Sequence, residues 1–328
     1  MENTKAISEN MLDIILSKLY HRNDNLAIKK YTSGHHHTYD INDEYIIKIQ
    51  DNKSSTLKHQ FKFLDMVYKK GALVSQPVEF GEEGDFSYLV TKKIKGNNVS
   101  QDWISMSDTE KEEIFRSVIT QIKIFHSIDF PEYRIPIVSS KNSYRNLMDA
   151  VNDSTNFSVL NKSKFTKKYI THIEYLESFL NKKLCILDEE NTARFVHNDI
   201  HLENIIWDGE RFTGIIDFDW VCQAPIDYEL WKIIEIVRQT RHFVHGELVP
   251  LDKPHALEKY FHVFKESYPE LFLKSNLADR IRLYHIQEMI GNRFLDFQNA
   301  KISKKIFSDI DSEMSDIYYS DWLDNLLA

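Results

Sequence analysis

Cysteine is scarce in this chain of 328 residues, which has only Cys185 and Cys222. Neither stands in a Cys-x-x-Cys or Cys/His ligand spacing, so a disulfide framework and a thiolate zinc site are both disfavoured. The sequence accordingly reads as that of a protein of the reducing cytoplasm. Positive charge is also short: 41 Lys and Arg against 50 Asp and Glu give a formal net charge of -9. That balance argues against nucleic acid or an anionic membrane as partner and is compatible with a cationic small molecule. No stretch approaches the roughly 18 consecutive apolar residues that span a bilayer. Glu2, Lys5 and Glu9 precede the first amphipathic run, with no uninterrupted apolar leader core. The expectation is a protein neither secreted nor membrane-inserted. Internal repeats and low-complexity tracts are missing too. What remains is an ordinary globular composition, 42% hydrophobic and 28% charged, long enough for two lobes or domains.

One stretch organises the rest: Phe195 to Trp220, FVHNDIHLENIIWDGERFTGIIDFDW. Two apolar runs, Phe195-Val196 and Gly214-Ile215-Ile216, each deliver an acid to their end, Asp199 and Asp217. Between them lie Asn204, the pair Ile205-Ile206 and the turn signal Asp208-Gly209. The pattern predicts a β-ribbon with a polar rim. Taken singly, Asp199 and Asn204 are turn formers and Asp217 a strand terminus. Taken together they supply what phosphoryl transfer needs: an acid to orient a hydroxyl nucleophile, and two oxygen or amide ligands to hold magnesium against nucleotide phosphates. Asp199 is the candidate catalytic residue, and Asn204 and Asp217 are the candidate metal ligands.

Upstream, Ile7, Met11, Leu12, Ile15, Leu16 and Leu19 recur at helical steps. Strands are expected at Leu26 to Tyr31, Tyr39 to Ile41 and Tyr45 to Ile49, with a polar turn from Thr32 to Thr38 containing His35, His36 and His37. Consecutive side chains of an extended segment point to opposite faces, so three histidines in a row rarely converge on one ion, and an exposed polar loop is the preferred reading. Lys48 interrupts an apolar strand, where a charge needs a reason. A solvent-facing position is the simple one. Thr56 to Lys70 reads as a helix burying Leu57, Phe61, Leu64 and Tyr68. Strands at Val78 to Gly81 and Phe86 to Ile94 follow, joined by Glu82-Glu83-Gly84-Asp85. Beyond them the pattern is helical: a capping box at Ser107-Asp108-Thr109-Glu110 opens a helix running to His126, and Tyr169, Ile173, Leu176, Phe179 and Leu180 mark another after a polar run from Asn152 to Lys168. Stripes around Ile233, Phe261 and Ile281 to Met289 and Ile290 complete the set. The tail after Lys305 holds six acidic residues and no basic one, expected as a solvated face in preference to a substrate-binding patch.

His197-x-Asp199 with Asn204 five residues on, then Asp217-Phe218-Asp219, resembles the catalytic loop of protein kinases. Asn198, His201 and the ending IDFDW, with neither a DFG glycine nor an APE-like segment, make it more similar to the aminoglycoside phosphotransferase and choline kinase superfamily of small-molecule kinases. The resemblance covers about residues 25 to 240. It implies an α+β, bilobal protein-kinase-like fold, with a β-rich N-lobe over 1–96 and a helical C-lobe over 97–328 carrying the catalytic hairpin 195–220. It also implies that ATP or GTP with Mg2+ is bound: Lys48 on the phosphates, Ser33, Gly34 and Thr38 in the turn covering them, and the backbone of Lys92 and Ile94 against the base. Gln60 stands where the lysine-pairing glutamate is usual; a glutamine would hold the lysine less firmly, so either the register is off or another acid serves. Glu229 fills a position that braces the catalytic loop, and His197 and His126 are expected to be structural. Asp219 is read as a supplement to the metal site or its electrostatics, and His201 and Glu203 as flanking groups.

The reaction implied is transfer of the γ-phosphoryl group to a hydroxyl of a small molecule, an aminoglycoside-type antibiotic being favoured, with no nucleic acid or membrane partner and a monomer or weak dimer as the assembly. Glu235, Glu247, Asp252 and the acidic tail are candidates to line a polycation site. Choline, homoserine, methylthioribose or a macrolide would use the same core, and a non-catalytic nucleotide-binding pseudokinase is the alternative of a different class.

Overall fold

Alternation of Ile47, Lys48 and Ile49 along one strand sets the plan of the N-terminal region: both isoleucines are fully buried, so Lys48 between them points to the opposite face of the sheet. The computed structural model describes residues 2–20, 25–31, 36–51, 56–128, 167–188, 194–240, 251, 253–288 and 304–328. It falls into two compact units, Met1–Ile128 with Asp199–Val221, and Asp129–Asn198 with Cys222–Ala328. The stretch expected to be one ribbon is therefore divided between them.

In the first unit, β1 (Ile28–Tyr31), β2 (His37–Ile41), β3 (Tyr45–Asp51), β4 (Pro77–Glu83) and β5 (Phe86–Lys92) form an antiparallel sheet of order β1-β2-β3-β5-β4. Helix α1 (Glu2–Leu19) buries Met11, Leu12, Ile15 and Leu16 against Tyr39, Ile41, Ile47, Ile49, Tyr88 and Val90. Over Met11 to Leu19 this is the predicted amphipathic stripe, with Leu19 partly buried. His37 and Thr38, expected in the turn, belong to β2, where Thr38 pairs with Lys48 of β3.

Helix α2 (Thr56–Lys69) forms where expected but is rotated about its axis. It buries Leu57, Gln60, Phe63, Leu64 and Val67, while Tyr68 is exposed and Phe61 only half-buried. Aromatic packing explains the rotation. Phe63 lies 5.7 Å from Phe125 and 5.5 Å from Phe218, ring centre to ring centre, and Phe125 and Phe218 are themselves 5.8 Å apart. Three mutually contacting rings bury more apolar area than a tyrosine that keeps its hydroxyl in water. The same rotation carries Gln60 inward.

The predicted ribbon also pairs differently. β8 (Ile205–Trp207) and β9 (Phe212–Ile215) make the hairpin, with Asp208-Gly209 in the turn, and β6 (Asn97–Asn98) adds to β8. β7 (Arg194–Val196) instead pairs antiparallel with β10 (Cys222–Ala224) in the second unit. The turn signal closes only the four-residue connection, so the Phe195-Val196 run is left to find a partner elsewhere. Helix α4 (Asp108–His126), which follows the short α3 (Val99–Asp102), starts at the expected capping box: the Ser107 hydroxyl accepts from Glu110 N, and the Glu110 carboxylate accepts from Ser107 N at 2.7 Å.

The second unit's described helices are α5 (Lys167–Lys183), α6 (Asp227–Arg238), α7 (Phe261–Ser267), α8 (Leu277–Glu288), α9 (Lys304–Tyr318) and α10 (Trp322–Leu327). The run Asn152 to Lys168 lies almost wholly outside the described residues, as do Met289 and Ile290. At its centre Arg280 of α8 and Asp227 of α6 are both fully buried. They pair through two nitrogens, at 2.6 and 3.2 Å, and the Tyr284 hydroxyl donates to the same carboxylate at 2.7 Å.

The acidic tail is only in part a solvated face: Asp321 is exposed and Asp324 half-exposed, but others turn inward. Glu313 is buried against Arg238 at 3.3 Å and His285 at 3.3 Å, Asp316 lies 3.5 Å from Arg238, Asp311 meets His172 at 3.2 Å, and Asp324 pairs with Arg282 at 2.5 Å. Basic groups placed far upstream pair with four of the six tail acids, which charge counting within the tail cannot reveal. Removing one partner of a buried pair strands the other charge, at about 3–5 kcal/mol. Arg280→Leu is accordingly expected to lose that much stability in urea titrations, and the double variant Arg280→Leu/Asp227→Leu to recover part of it.

Candidate active site

Asp199, Asn204 and Asp217 reach the first unit by three local routes. Asp199 sits in the loop after β7, where its neighbour Asn198 adopts a left-handed φ of 64°. In the second unit, Glu229 near the N-terminal end of α6 is fully buried and accepts hydrogen bonds from the backbone of His197 at 2.7 Å and Asn198 at 3.1 Å. The brace implied for Glu229 thus takes the form of a carboxylate holding the two residues that precede Asp199. His197 is wholly buried, as expected of a structural histidine.

Asn204 closes the loop. Its amide nitrogen donates to the Asp199 carbonyl at 2.9 Å and to the Asp199 carboxylate at 3.1 Å, and lies 3.1 Å from His201 Nε2. The Asn204 carbonyl accepts from Ile216 N at 2.9 Å, which places Asn204 one residue from Asp217 across the hairpin. Asp217 itself has a φ of 62°, a left-handed backbone at a residue other than glycine. Strain of this kind, of order 1–3 kcal/mol, persists only where surrounding contacts over-determine it. Flanking Phe218 is locked in the three-ring cluster with Phe63 and Phe125, so the chain turns sharply between a fixed strand and a fixed ring.

Lys48 is brought to the acids. Its ammonium donates to Asp217 Oδ1 at 2.9 Å and to Asp219 Oδ1 at 2.6 Å. A solvent-facing lysine is therefore not what the strand carries. Burial opposes its charge, but Asp217 and Asp219 outweigh that and hold the ammonium above its ordinary value. Gln60 Nε2 donates to the same Asp219 oxygen at 2.6 Å, and His36 Nε2 lies 3.2 Å from the other oxygen. Burial would raise the Asp219 carboxyl; the His36 hydrogen bond and the Lys48 charge overcome it and keep the group well below the ordinary carboxylate range.

One open alternative is resolved here and one expectation changes. Gln60 bonds Asp219 instead of Lys48, and other acids do serve the lysine, Asp219 together with Asp217. His36, expected in an exposed loop, has only 5% of its side chain exposed. His36 and the inward Gln60 were invisible as site residues in the sequence; the available signal was Asp217-Phe218-Asp219 itself, which sets two carboxylates on either side of a buried ring.

The remaining candidates are more dispersed. Thr38 is Lys48's neighbour across the sheet. Ser33, Gly34 and His35 lie outside the described residues. Lys92 pairs with Tyr45 at the other end of β3; its backbone N–H donates to Gln76 O at 2.8 Å, and its ammonium bonds Glu44 and Tyr45, each at 2.8 Å. Ile94 follows β5, and its side chain fits against Gly214, where a Cβ would come 2.7 Å from Ile94 Cδ1. In the second unit Glu235 is buried and bonded to Lys232 at 3.2 Å. Glu247 and Asp252 lie outside the described residues.

The donor set fits a divalent cation of the magnesium type. The nitrogen of Asn204 is directed at Asp199, which leaves its amide oxygen as the ligating end, and Asp217 keeps 42% of its side chain exposed. One carboxylate and one amide oxygen leave positions for phosphate oxygens and waters, as magnesium prefers. Among the described residues no cluster of three His, Cys, Asp or Glu offers an all-protein metal cage, nor is any helix long and apolar enough to cross a membrane.

Comparisons with known proteins bear on this geometry. The sequence profile of the Phosphotransferase enzyme family matches residues 27–256. No curated protein sequence matches. Solved structures of similar fold include the GDP complex of aminoglycoside 2'-phosphotransferase-IIIa, 11% identical over 97% of each chain with a TM-score of 0.65. The gentamicin complex of APH(2")-IIa is 16% identical over 95% of this chain and 97% of that one, with a TM-score of 0.60. Aminoglycoside phosphotransferase APH(4)-Ia is 12% identical over 98% of each chain, with a TM-score of 0.58. At such identities the likeness is one of fold, the α+β bilobal protein-kinase-like fold. The architecture is thus that of a kinase-type enzyme. The chain belongs to the phosphotransferase enzyme family, of the aminoglycoside phosphotransferase and choline kinase superfamily, and is a small-molecule phosphotransferase with a hydroxyl acceptor.

Two expected outcomes follow from the site. Glu229→Ala leaves two backbone amides without their acceptor, at about 1–3 kcal/mol each, so its thermal midpoint falls well below that of the native protein in calorimetry. Because the Asp219 carboxyl is depressed in the folded state, its contribution is present above the unfolded value of about 4 and is lost as pH falls toward the folded one. The stability gap between native protein and Asp219→Asn in urea is therefore expected to narrow on going from about pH 7 to about pH 3.

Proposed function

We propose that this enzyme transfers the γ-phosphoryl group of ATP or GTP to a hydroxyl of an aminoglycoside-class amino sugar. The observation that carries the reading is the meeting of Lys48 with Asp217 beside the Asp199–Asn204 pair, all within one compact unit. Asp199 orients the acceptor hydroxyl and takes its proton as the oxygen attacks the γ-phosphorus and the bond to the β-phosphate oxygen breaks. Lys48 neutralises the nucleotide phosphates, and Thr38, Ser33 and Gly34 cover them. Ile94 supplies main-chain hydrogen bonds to the base; Lys92, whose amide is already bonded to Gln76, contributes through its carbonyl. Asn204 and Asp217 hold magnesium, which supplies charge neutralisation on the phosphates when bound.

Support for the acceptor class comes from the similar solved structures, which include complexes with gentamicin, kanamycin and streptomycin and others with GDP, ADP and ATP. The net charge of -9 favours a cationic acceptor over an anionic one. Within the acidic tail Asp311, Glu313, Asp316 and Asp324 have internal partners, as Glu235 has Lys232, which weighs against them as lining for a polycation. The pseudokinase alternative has two grounds, the Gln60 substitution and a phosphate-covering turn with the single glycine Gly34, which lies outside the described residues. Asp219 bonded to Lys48 gives the lysine a carboxylate partner, which weakens the first ground and supports the catalytic reading. We further propose that the enzyme works in the cytoplasm and confers resistance on cells exposed to such an antibiotic.

A panel of aminoglycosides and small alcohols, assayed with Mg-ATP and Mg-GTP and analysed by mass spectrometry, tests the reading. Addition of one phosphate to an aminoglycoside is expected, with turnover falling about 100-fold or more in Asp199→Asn. Phosphorylation of another alcohol alone would reassign the acceptor, and equal background in native protein and variant would remove the catalytic reading.

A further inference from the structure

Lys48 touches two carboxylates, and they are not equivalent. Asp217 Oδ1 is 2.9 Å away on a side chain 42% exposed, whereas Asp219 Oδ1 is 2.6 Å away on a side chain 14% exposed. Asp217 faces outward, where a cation can claim it. Asp219 faces inward, where three donors converge on its two oxygens: Lys48 and Gln60 on Oδ1, His36 on Oδ2. A carboxylate only accepts hydrogen bonds, so the Gln60 amide must present its nitrogen to it. A glutamate at position 60 would instead bring a second carboxylate to within about 3 Å of the first, a like-charge contact.

We propose that Asp219 is the positioning residue for Lys48 in this enzyme, and that Gln60 serves to hold Asp219 and not the lysine. The proposal rests on the phosphotransfer reading above and adds a division of labour within the Asp217-Phe218-Asp219 segment. When Asp217 turns to the cation, Asp219 remains as the fixed anchor that keeps the ammonium aimed at the phosphates. Phe218, buried with Phe63 and Phe125, fixes the spacing of the two acids, and Phe63 shares α2 with Gln60, so one aromatic cluster sets both sides of the anchor.

The test uses the full chain as Asp219→Asn, Gln60→Glu and the double variant. Asp219→Ser runs in parallel, alone and with Gln60→Glu, so that the comparison does not depend on one substitution folding. Turnover of Mg-ATP and Mg-GTP, nucleotide affinity from a fluorescent analogue, and crystal structures are the readouts. Loss of the anchor is expected to lower kcat about 100-fold with a smaller change in nucleotide affinity. Gln60→Glu alone is expected to be impaired, yet to restore at least about tenfold when combined with Asp219→Asn, because position 60 then supplies the carboxylate and Lys48 Nζ lies about 3 Å from it.

Undiminished turnover in both position-219 variants would overturn the proposal. So would absence of rescue in both double variants, or a Lys48 that keeps its place in the Asp219→Asn crystal structure. Should the native protein turn over no nucleotide, the phosphotransfer reading fails by itself. The lysine positions in the crystal structures still decide whether Asp219 is the anchor.

Discussion

A carboxylate shared by three donors is the constraint on which the first unit depends. Asp219 takes hydrogen bonds from a strand, a helix and the turn side of a second strand, through Lys48, Gln60 and His36. Each donor alone would be an awkward thing to bury: a lysine between two isoleucines, a glutamine on an apolar helix face, a histidine 95% removed from solvent. Buried charge is tolerated only when paired and hydrogen-bonded, and here one acid is common to all three, with Asp217 a second partner for Lys48. The phase of α2 and the aim of Lys48 are thus coupled through a group that belongs to neither element.

The reactive loop is held on a different principle. Glu229 fixes backbone amides ahead of Asp199, Asn204 ties the Asp199 carbonyl to its carboxylate, and Ile216 N closes the far side. Main-chain groups on both sides of Asp199 do much of this work. Left-handed backbone at Asn198 and Asp217 is the local cost of turning the chain so abruptly. A bonded network on each side is what keeps those conformations in place.

Much of this was legible in the sequence because it is local. The stripe of α1, the capping box at Ser107 and the β8–β9 turn at Asp208-Gly209 each follow from residues within one or two turns of chain, and the spacing of Asp199, Asn204 and Asp217 carried the resemblance to small-molecule kinases. What the sequence hid is set by distant partners. The face of α2 is chosen by Phe125 and Phe218, so Tyr68 rather than Gln60 looked inward when the helix was read alone. Phe195-Val196 pairs with Cys222–Ala224 because the hairpin turn excludes it, a choice made by competition between strands. Gln60 read as a weakened partner of Lys48 when only two residues were considered; the third, Asp219, changes its meaning.

Arg238, wholly buried on α6, is neutralised by Glu313 and Asp316 of α9. During synthesis this cation leaves the ribosome well ahead of either acid, so α6 cannot settle in its final surroundings until some 75 further residues have followed, about 4–15 s at ordinary elongation rates. For that interval the guanidinium lacks the two carboxylates that neutralise it in the folded unit, and a chain that stops before position 313 never acquires them.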